Sequence, residues 1–322
     1  MQTNASEPFT LRDNLNVVVL AGGVGGAKLA DGLAQLLPPE RLTVIVNTGD
    51  DFRHFGLLIC PDLDTVTYTM AGQANPQTGW GRAGESWRTI EEVARLGGAD
   101  WFKLGDLDLA THLTRSQRLS EGHSLTQVTA ELCARFGIEA AVLPMADAPA
   151  PTLIRCDEGV LPFQTWFVAR QWQPAVQEII LPEDVRAGGK VMFALEKADL
   201  VLIAPSNPYV SIDPILNVYP IREMIADLPE LVVAVSPIIA GQALKGPAAK
   251  MMGELGLVAS AAAVAEHYGE LIDLFVYDRQ DDDLVISRDL ELLQLDTIMP
   301  DQAGRRRLAS EILGHISELV NQ

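Results

Sequence analysis

The stretch that decides the fold is VVVLAGGVGGAKLADGL, residues 17–33. It begins with an apolar, β-branched run, which is typical of a strand buried on both faces of a parallel sheet. The run ends in a turn of four glycines, Gly22, Gly23, Gly25 and Gly26. The residues after this turn place one apolar face on a helix, formed by Ala30, Leu33, Ala34 and Leu37. A strand, a glycine turn and a helix are therefore predicted, and Pro38 ends the helix.

The next segment, LTVIVNTGDD at 42–51, predicts a second buried strand that ends in Asn47 and a glycine turn. Together the two strands and the helix form a βαβ unit, which favours a Rossmann-like, doubly wound α/β fold with a mostly parallel sheet. We predict that residues 1–64 and 138–322 form this core. The first strand is predicted at 15–20, and short apolar runs followed by turn residues predict further strands at 140–143, 199–204, 231–236 and 271–277.

Two segments break this pattern. Residues 65–137 predict a mainly helical insertion that covers the sheet; within it, Ser124 and Gln127 form a candidate capping box. Residues 150–182 contain alternating stretches such as FQTWFVAR (163–170), which predict a small β extension. A final helix is predicted from the apolar register of Leu308, Ile312, Ile316 and Leu319.

The composition restricts the class of protein. The chain has 322 residues with 43 acids against 24 bases, a net charge of −19 that disfavours a nucleic-acid partner. Three separated cysteines without CxxC spacing are typical of reduced thiols in the cytoplasm. No apolar run has the length of a membrane span, and the N-terminal MQTNASEPFT is a polar tail. We therefore expect a cytoplasmic protein without a membrane or nucleic-acid partner.

The glycine turn matches neither common nucleotide motif. A P-loop requires a hydroxyl residue after its lysine, but Lys28 is followed by Leu29. The dinucleotide pattern GxGxxG fails because its third glycine would fall at Lys28. Backbone N–H groups at the start of the helix can still bind an anion, with Lys28 as a weaker phosphate partner. The alternative is a tight turn without a ligand.

Four acids follow the second strand, at Asp50, Asp51, Asp62 and Asp64. Four carboxylates within fifteen residues repel one another without a cation, and hard oxygen ligands suit Mg²⁺. If the segment is extended, the i, i+2 spacing points Asp62 and Asp64 the same way. The alternative is that one acid caps a helix and the others face solvent. A lone loop histidine, His54, is more often a packing residue than a catalyst.

Later loops add further candidate ligand residues. Ser206 and Asn207 follow a predicted strand and either bind a ligand or form an Asx turn. Ser236, Lys245 and Gly246 follow the next strand and provide a possible anion site. Trp80 and Trp87 could stack on a flat ring, although tryptophans are equally often core residues.

Taken together, these motifs resemble the 2-phospho-L-lactate transferase family of coenzyme F420 biosynthesis. The matching stretches occur in order from residue 20 to 252: LAGGVGGAKLADGL, VNTGDDFRHFGLLICPDLDTVTYTMAG, GWGRAGESW, WFKLGDLDLATHLTRSQRLSEGHSLTQVT, PSNPYVSIDPIL and SPIIAGQALKGPAAKMM. The family often has SPIIGGKAVKGP in the last stretch, whereas this chain has Ala240 and Gln242, so a second lysine contact is missing there.

The resemblance implies an Mg²⁺-dependent transfer in a homodimer. The deazaflavin Fo would attack a guanosine diphospho-linked three-carbon acid through its ribityl hydroxyl and release GMP. The glycine turn and the SNP and KGP loops would surround the guanosine diphosphate. Asp50 and Asp51 would activate the hydroxyl, and Asp50, Asp62 and Asp64 would bind the metal. The insertion would cover Fo with Trp80, Trp87, Asp106 and His112.

Two other classes remain open. A non-catalytic, nucleotide-sugar-binding regulator would use the same core, but such proteins tend to have GGGTG and DDGGSSG where this chain has GGVGG and DDFRHFG. An NAD(P)-dependent oxidoreductase is disfavoured by the failed GxGxxG pattern. No Ser-His-Asp or Cys-His arrangement is evident, so direct transfer without a covalent intermediate is expected.

Overall fold

The protein is described by a computed structural model over residues 15–282 and 284–320, so the polar tail at 1–10 lies outside the described residues. In chain order the strands are β1 (Val17–Ala21), β2 (Leu42–Val46), β3 (Phe52–His54), β4 (Leu57–Ile59), β5 (Ala141–Pro144), β6 (Leu153–Cys156), β7 (Gly159–Pro162), β8 (Val176–Ile180), β9 (Leu200–Ile203), β10 (Leu231–Val235), β11 (Ile238–Ile239), β12 (Gln242–Ala243), β13 (Leu274–Asp278) and β14 (Glu291–Leu295).

The helices surround the main sheet. They are α1 (Gly23–Ala34), α2 (Pro61–Met70), α3 (Arg88–Arg95), α4 (Asp106–Ser120), α5 (Leu125–Arg135), α6 (Gly189–Glu196), α7 (Asp213–Leu216), α8 (Ile221–Ala226), α9 (Ala248–Glu254), α10 (Ala261–Tyr268) and α11 (Gln302–Val320). Short 3₁₀ turns occur at Pro39–Arg41 and Gly269–Leu271, and π-helical turns at Thr165–Ala169 and Pro208–Ile212.

Seven strands form one parallel sheet in the order β14-β13-β10-β9-β1-β2-β5. β1 lies between β2 and β9, and Val19 pairs with Val44 on one side and Leu202 on the other. The strand order therefore reverses direction at β1, as in a doubly wound sheet. The predicted fold class is confirmed.

Each face of the sheet carries its own apolar core. On one face α1, α2, α5 and α11 cover alternate strand residues such as Val19 and Leu202. On the other face α6, α8, α9 and α10 cover residues such as Leu20 and Ile203. Strands buried on both faces have few polar positions, which explains the largely apolar runs in the sequence.

The predicted strands of the main sheet are confirmed, with boundary shifts of up to three residues. The first strand is Val17–Ala21 rather than 15–20, and the last predicted strand is Leu274–Asp278 rather than 271–277. The capping box of Ser124 and Gln127 is present at the start of α5. The edge strand β14 was not predicted, because it is partly exposed and lacks a continuous apolar run.

The two ends of the predicted insertion, 65–137, pack into the core. α2 starts at Pro61 and packs into the core with Leu63 and Val66, and α5 packs there with Leu125 and Cys133. The chain between these two helices contains α3 and α4, and α4 packs against the same core through Leu119.

The β extension is present as an antiparallel sheet of β7, β6 and β8 within the predicted 150–182. The stretch FQTWFVAR was predicted to be extended, which is wrong, because most of it forms helical and π-helical turns. Trp166 is fully buried there, so burial of its ring rather than alternation decides the local structure. Among the described residues, no helix combines the length and apolarity needed to cross a bilayer. Cys60, Cys133 and Cys156 are buried free thiols.

Candidate active site

A cavity of about 530 Å³ opens at the carboxyl ends of β1 and β9. This is where the strand order reverses, the usual ligand position in an open α/β sheet. Its walls come from the glycine turn after β1, the start of α2, the loop after β9, the loop before α9, the insertion and the β extension. Segments far apart in sequence therefore meet at one site.

The glycine turn is required by close approach of its neighbours. A Cβ on Gly25 would lie 2.1 Å from the carbonyl oxygen of Pro205, and one on Gly22 would lie 2.6 Å from Asp62 Oδ2. Gly23 adopts φ +60°, a conformation that other residues rarely adopt. The N–H of Gly22 donates to Ser206 Oγ (3.1 Å). The turn thus packs α1 directly against the loop after β9.

Asp62 lies in the first turn of α2, so the predicted extended geometry of Asp62 and Asp64 is wrong. Pro61 occupies the first helical position, where its fixed φ and missing N–H are tolerated. Oδ1 of Asp62 accepts a hydrogen bond from the N–H of Gly23 (2.8 Å). The carboxylate therefore joins the start of α2 to the start of α1.

Asn47 links two of the acids. Its Nδ2 donates to Oδ1 of Asp50 and to Oδ2 of Asp62, both at 2.9 Å. The same amide contacts the carbonyl of Val210 (3.2 Å), and its Oδ1 accepts from the N–H of Gly49 (2.7 Å). Asn47 is fully buried at the end of β2. It holds the two carboxylates as near neighbours, despite their repulsion.

These carboxylates bind protons more readily than ordinary acids. Burial, followed by the neighbouring Asp62 carboxylate, raises the pKa of Asp50 well above its usual value. Burial also raises the pKa of Asp62 to about 6, although the bonds from Asn47 and Gly23 act in the opposite direction. Asp51 is half-buried, burial raises its pKa, and its Oδ1 has no hydrogen-bond partner.

The acid cluster fits a magnesium ion. The donors of Asp50 and Asp62 are carboxylate oxygens, which Mg²⁺ prefers, and both residues line the cavity. Asn47 holds the two carboxylates beside each other, so that one ion would contact both. Asp50 and Asp62 would therefore hold the ion.

Asp64 has a different environment, because a buried arginine neutralises it. Arg115 on α4 forms an ion pair with Asp64, and one of its hydrogen bonds, from Nη1 to Oδ2, is 3.1 Å long. Nη1 also lies 3.1 Å from Nδ1 of His112. Because a guanidinium only donates, Nδ1 is the acceptor, and His112 carries its proton on Nε2, 3.3 Å from Asp108 Oδ1.

Asp108 completes this network. The hydroxyl of Tyr68 donates to its Oδ1 (2.7 Å), and contacts with His112 lower its pKa although burial acts to raise it. Candidate ligand atoms of Asp64, Asp108 and His112 lie within 4.8 Å of one another. The guanidinium of Arg115 supplies a positive charge next to these ligand atoms through its ion pair with Asp64.

Aromatic rings form the wall of the cavity nearest the insertion. Trp101 and Phe102 line the cavity and pack on Phe52, with ring centroids 5.6 and 4.9 Å away. His54 packs against Trp101 at 5.3 Å, which agrees with a packing role. Trp80 lines the cavity, whereas Trp87 is only the residue before α3 and is not part of its lining.

Lys245 and Gly246 line the cavity beside the glycine turn. The amino group of Lys245 donates to the carbonyl of Thr78 in the insertion (2.6 Å). Asn207 also lines the cavity, but its Oδ1 caps the N–H of Tyr209 (3.0 Å). Lys245 is thus a cation at the cavity wall that also contacts the insertion.

Comparison with known proteins identifies the family of this chain. The family profile described as "2-phospho-L-lactate transferase CofD" matches residues 17–313. The chain belongs to this family. It is 41% identical over 303 residues to the 2-phospho-L-lactate transferase of Methanosarcina acetivorans, covering 92% of this chain and 98% of that protein. The 2-phospho-L-lactate transferase family is one of transferases in coenzyme F420 biosynthesis, and this chain is a transferase of that type.

Other relatives of this transferase carry a second name. The chain is 42% identical over 313 residues to the phosphoenolpyruvate transferase of Kitasatospora aureofaciens, covering 92% of this chain and 97% of the relative. Among solved structures, protein BH3568 from Bacillus halodurans matches with a TM-score of 0.62 and 16% identity, covering 93% of this chain and 99% of that one. At 16% identity, the match to BH3568 shows the fold alone.

The transferase fold brings most of the predicted site residues together. Those that line the cavity are Gly22, Gly23, Gly25, Asp50, Asp62, Asp64, Trp80, His112, Ser206, Asn207, Lys245 and Gly246. Gly26 is in the same turn but packs on Ser206 and Ala21.

Several predicted residues are used elsewhere in the transferase. Lys28 donates to the carbonyl of Met299 (2.6 Å). Asp106 is partly buried, and its carboxylate accepts hydrogen bonds from the N–H groups of Arg88 and Thr89 at the start of α3. The hydroxyl of Ser236 donates to the carbonyl of Ile238 (2.9 Å). These side chains hold local structure and are not part of the cavity lining.

Sequence reasoning missed four groups of site residues, namely Asn47, Arg115, Gln164 and the pair Trp101 and Phe102. Asn47 directly follows a predicted strand at its carboxyl end, which was a usable signal. Gln164 lies in a stretch predicted as extended, and nothing local distinguishes Arg115 from other helical arginines.

Proposed function

We propose that the protein transfers a phospho-three-carbon-acid group from a guanosine diphospho-linked donor to the ribityl hydroxyl of the deazaflavin Fo. The hydroxyl oxygen would form a bond to the phosphorus of the three-carbon phosphate, and the bond to GMP would break. The product would be F420-0 or its dehydro form. Support comes from the family and from relatives named for phospholactate and phosphoenolpyruvate transfer.

One observation carries this proposal. The cavity is lined by the glycine turn and Lys245, by the aromatic rings of Trp101 and Phe102, and by the carboxylates of Asp50 and Asp62. Backbone N–H groups and a lysine favour a diphosphate. Aromatic rings favour a flat ring system such as a deazaflavin. A cavity that combines both kinds of lining suits a reaction between two substrates.

The residues of the chain account for the chemistry. Phosphoryl transfer depends on in-line positioning and charge neutralisation more than on covalent catalysis. Mg²⁺ held by Asp50 and Asp62 would neutralise the charge of the diphosphate. Asp50 lines the cavity, and its carboxylate would accept the proton of the attacking hydroxyl as a general base. Asp51 does not line the cavity and is the second candidate for this role.

The acid carried by the donor is the open choice, because the relatives are named for two different acids. Phospholactate, phosphoenolpyruvate and a phosphoglycerate differ only by a methyl, methylene or hydroxymethyl group, which pocket shape discriminates. The test is to supply Fo, Mg²⁺ and each guanosine diphospho-linked donor, and to identify the product by mass spectrometry. Binding of a nucleotide sugar without turnover of any donor would favour the regulator instead.

A cytoplasmic location and a homodimer remain part of this proposal. The dimer is tested by measuring the mass of the protein in solution with light scattering.

A further inference from the structure

Both carboxylate oxygens of Asp50 are held by carboxamides. Nδ2 of Asn47 donates to Oδ1 at 2.9 Å, and Nε2 of Gln164 donates to Oδ2 at 3.3 Å. The two amides come from opposite directions, since Asn47 ends β2 in the core and Gln164 belongs to the β extension. The rotation of the Asp50 carboxylate is therefore fixed at both of its oxygens.

The β extension is built to hold Gln164 at this place. The N–H of Thr152 donates to the carbonyl of Gly49 (2.8 Å), next to Asp50, and the N–H of Phe163 donates to the carbonyl of Thr152 (3.0 Å). Trp166 is fully buried, and its Nε1 donates to the carbonyl of Pro174 (2.9 Å). A continuous set of contacts thus joins the extension to the residue before Asp50.

A glutamine suits this position better than a charged residue. A lysine here would compete with a cation for the carboxylate, and a glutamate would add a further negative charge to the cluster. The amide donates without a net charge, so Asp50 keeps its own charge for a ligand. Gln164 is itself buried and lines the cavity, so water does not replace its hydrogen bond easily.

We propose that Gln164 is a positioning residue for Asp50, and that the β extension serves the transfer reaction by delivering this amide. The inference rests on the proposed function for its kinetic part. Outer partners of ligand carboxylates typically change metal affinity or activity by 10- to 100-fold. Gln164 acts through Asp50, so it affects turnover and the binding of a divalent cation, and not the binding of Fo.

The test uses Gln164→Met, which keeps the length of the side chain and removes the donor. We expect kcat to fall about 10- to 100-fold, with KM for Fo nearly unchanged. Without substrates, calorimetry should show Mn²⁺ binding weakened by about 10-fold. The matched control is Gln173→Met, an exposed glutamine of the same extension whose change should leave both values at the wild-type level.

The outcomes separate the two proposals. If the wild type turns over no donor but Gln164→Met still weakens Mn²⁺ binding, the proposed function fails and the positioning role stands. Wild-type Mn²⁺ affinity and wild-type kcat in Gln164→Met would overturn the positioning role. A melting temperature lowered as far as in Trp166→Phe, with KM for Fo raised alongside, would also overturn it, because that result indicates general loosening of the extension.

Discussion

The guanidinium of Arg115 is buried against the carboxylate of Asp64, with Nη1 3.1 Å from Oδ2. This ion pair joins α4 of the insertion to α2 of the core. A buried charge that loses its partner is left uncompensated in a medium that solvates it poorly. The pair therefore fixes where the insertion is attached.

Replacing Arg115 by methionine should lower the free energy of unfolding by about 3–5 kcal/mol, because Asp64 is then buried without a counter-charge. Adding Asp64→Asn should restore part of the loss. The control is Arg118→Met on the exposed side of the same helix, which should change stability little. Denaturant unfolding measures all three variants. Equal stabilities of Arg115→Met and the wild type would contradict the ion-pair interpretation.

The stability of the metal-free protein should fall as pH rises from about 4 to about 6, partly because of Asp62. Its pKa is about 6 in the folded chain, against roughly 3.9 in an unfolded chain. Folding therefore favours the protonated acid, and the advantage is lost as pH rises through this window. Between these pH values the Asp62 carboxyl should lower the free energy of unfolding by on the order of 3 kcal/mol, and Asp62→Asn should remove this contribution. Thermal melts in EDTA across the pH range provide the measurement.

Asp106 should affect the pH dependence of stability in the opposite direction from Asp62. Hydrogen bonds from Ser86 and Thr89 lower the pKa of Asp106 to about 2. Its contribution should be present above about pH 4 and lost as pH falls. For Asp62, the contradicting result is a variant Asp62→Asn whose stability changes with pH as in the wild type. That result would show that the Asp62 carboxyl titrates normally in the folded chain.

Asp50→Asn should cut turnover by at least about a hundredfold, since it removes a proton-accepting and charge-stabilising group. The melting temperature of the metal-free protein should stay the same or rise, because the substitution removes one negative charge from a cluster of carboxylates that repel one another. Activity in EDTA should vanish and return with Mg²⁺. Asp51→Asn tests the second candidate for the proton acceptor and should have a smaller effect on turnover, because Asp51 is not part of the cavity lining. Full activity of the wild type in EDTA would refute the metal mechanism.

Lys245→Ala should weaken binding of the guanosine donor by about 1.5–3 kcal/mol and leave Fo binding unchanged, because a charge-assisted bond to a diphosphate is lost. Lys103 lines the cavity beside Trp101 and Phe102 and provides the opposite control. Lys103→Ala should weaken the binding of Fo more than the binding of the donor. Separate titrations with each substrate measure the two affinities. The reverse pattern would show that the two half-sites are exchanged.

Binding of Fo should order only part of the insertion. α2 and α5 already pack into the core and Arg115 holds α4, so added protection should be confined to roughly residues 72–104. Hydrogen exchange with and without Fo tests this, with the amides of α5 as the internal control. Equal protection of 78–102 in both states would remove the covering role of the insertion.

The sheet was predictable because its strands are short apolar runs that end in turn residues, and this pattern is local. The acid cluster at 50–64 was predictable for the same reason, since parallel strands bring their carboxyl ends to one edge. Asp62 and Asp64 were placed in the wrong geometry because Pro61 was not used as the start of a helix.

The partners of these acids were not predictable. Arg115 lies 51 residues from Asp64, and Gln164 lies 114 residues from Asp50. Such pairs depend on how the insertion and the extension dock, which no local periodicity encodes. The same applies to Lys28, whose position near the glycine turn favoured phosphate but whose amino group reaches Met299.

The place of β1 between β2 and β9 has a consequence for how the chain is made on the ribosome. The N–H of Gly22 needs the hydroxyl of Ser206, which is 184 residues later. At roughly 5–20 residues per second, that delay lasts roughly 10–40 s. During this interval the backbone N–H and C=O groups on one edge of β1 have no partner strand, an arrangement prone to wrong pairing. A nascent chain that stops before β9 therefore has neither a complete central strand nor the floor of the cavity.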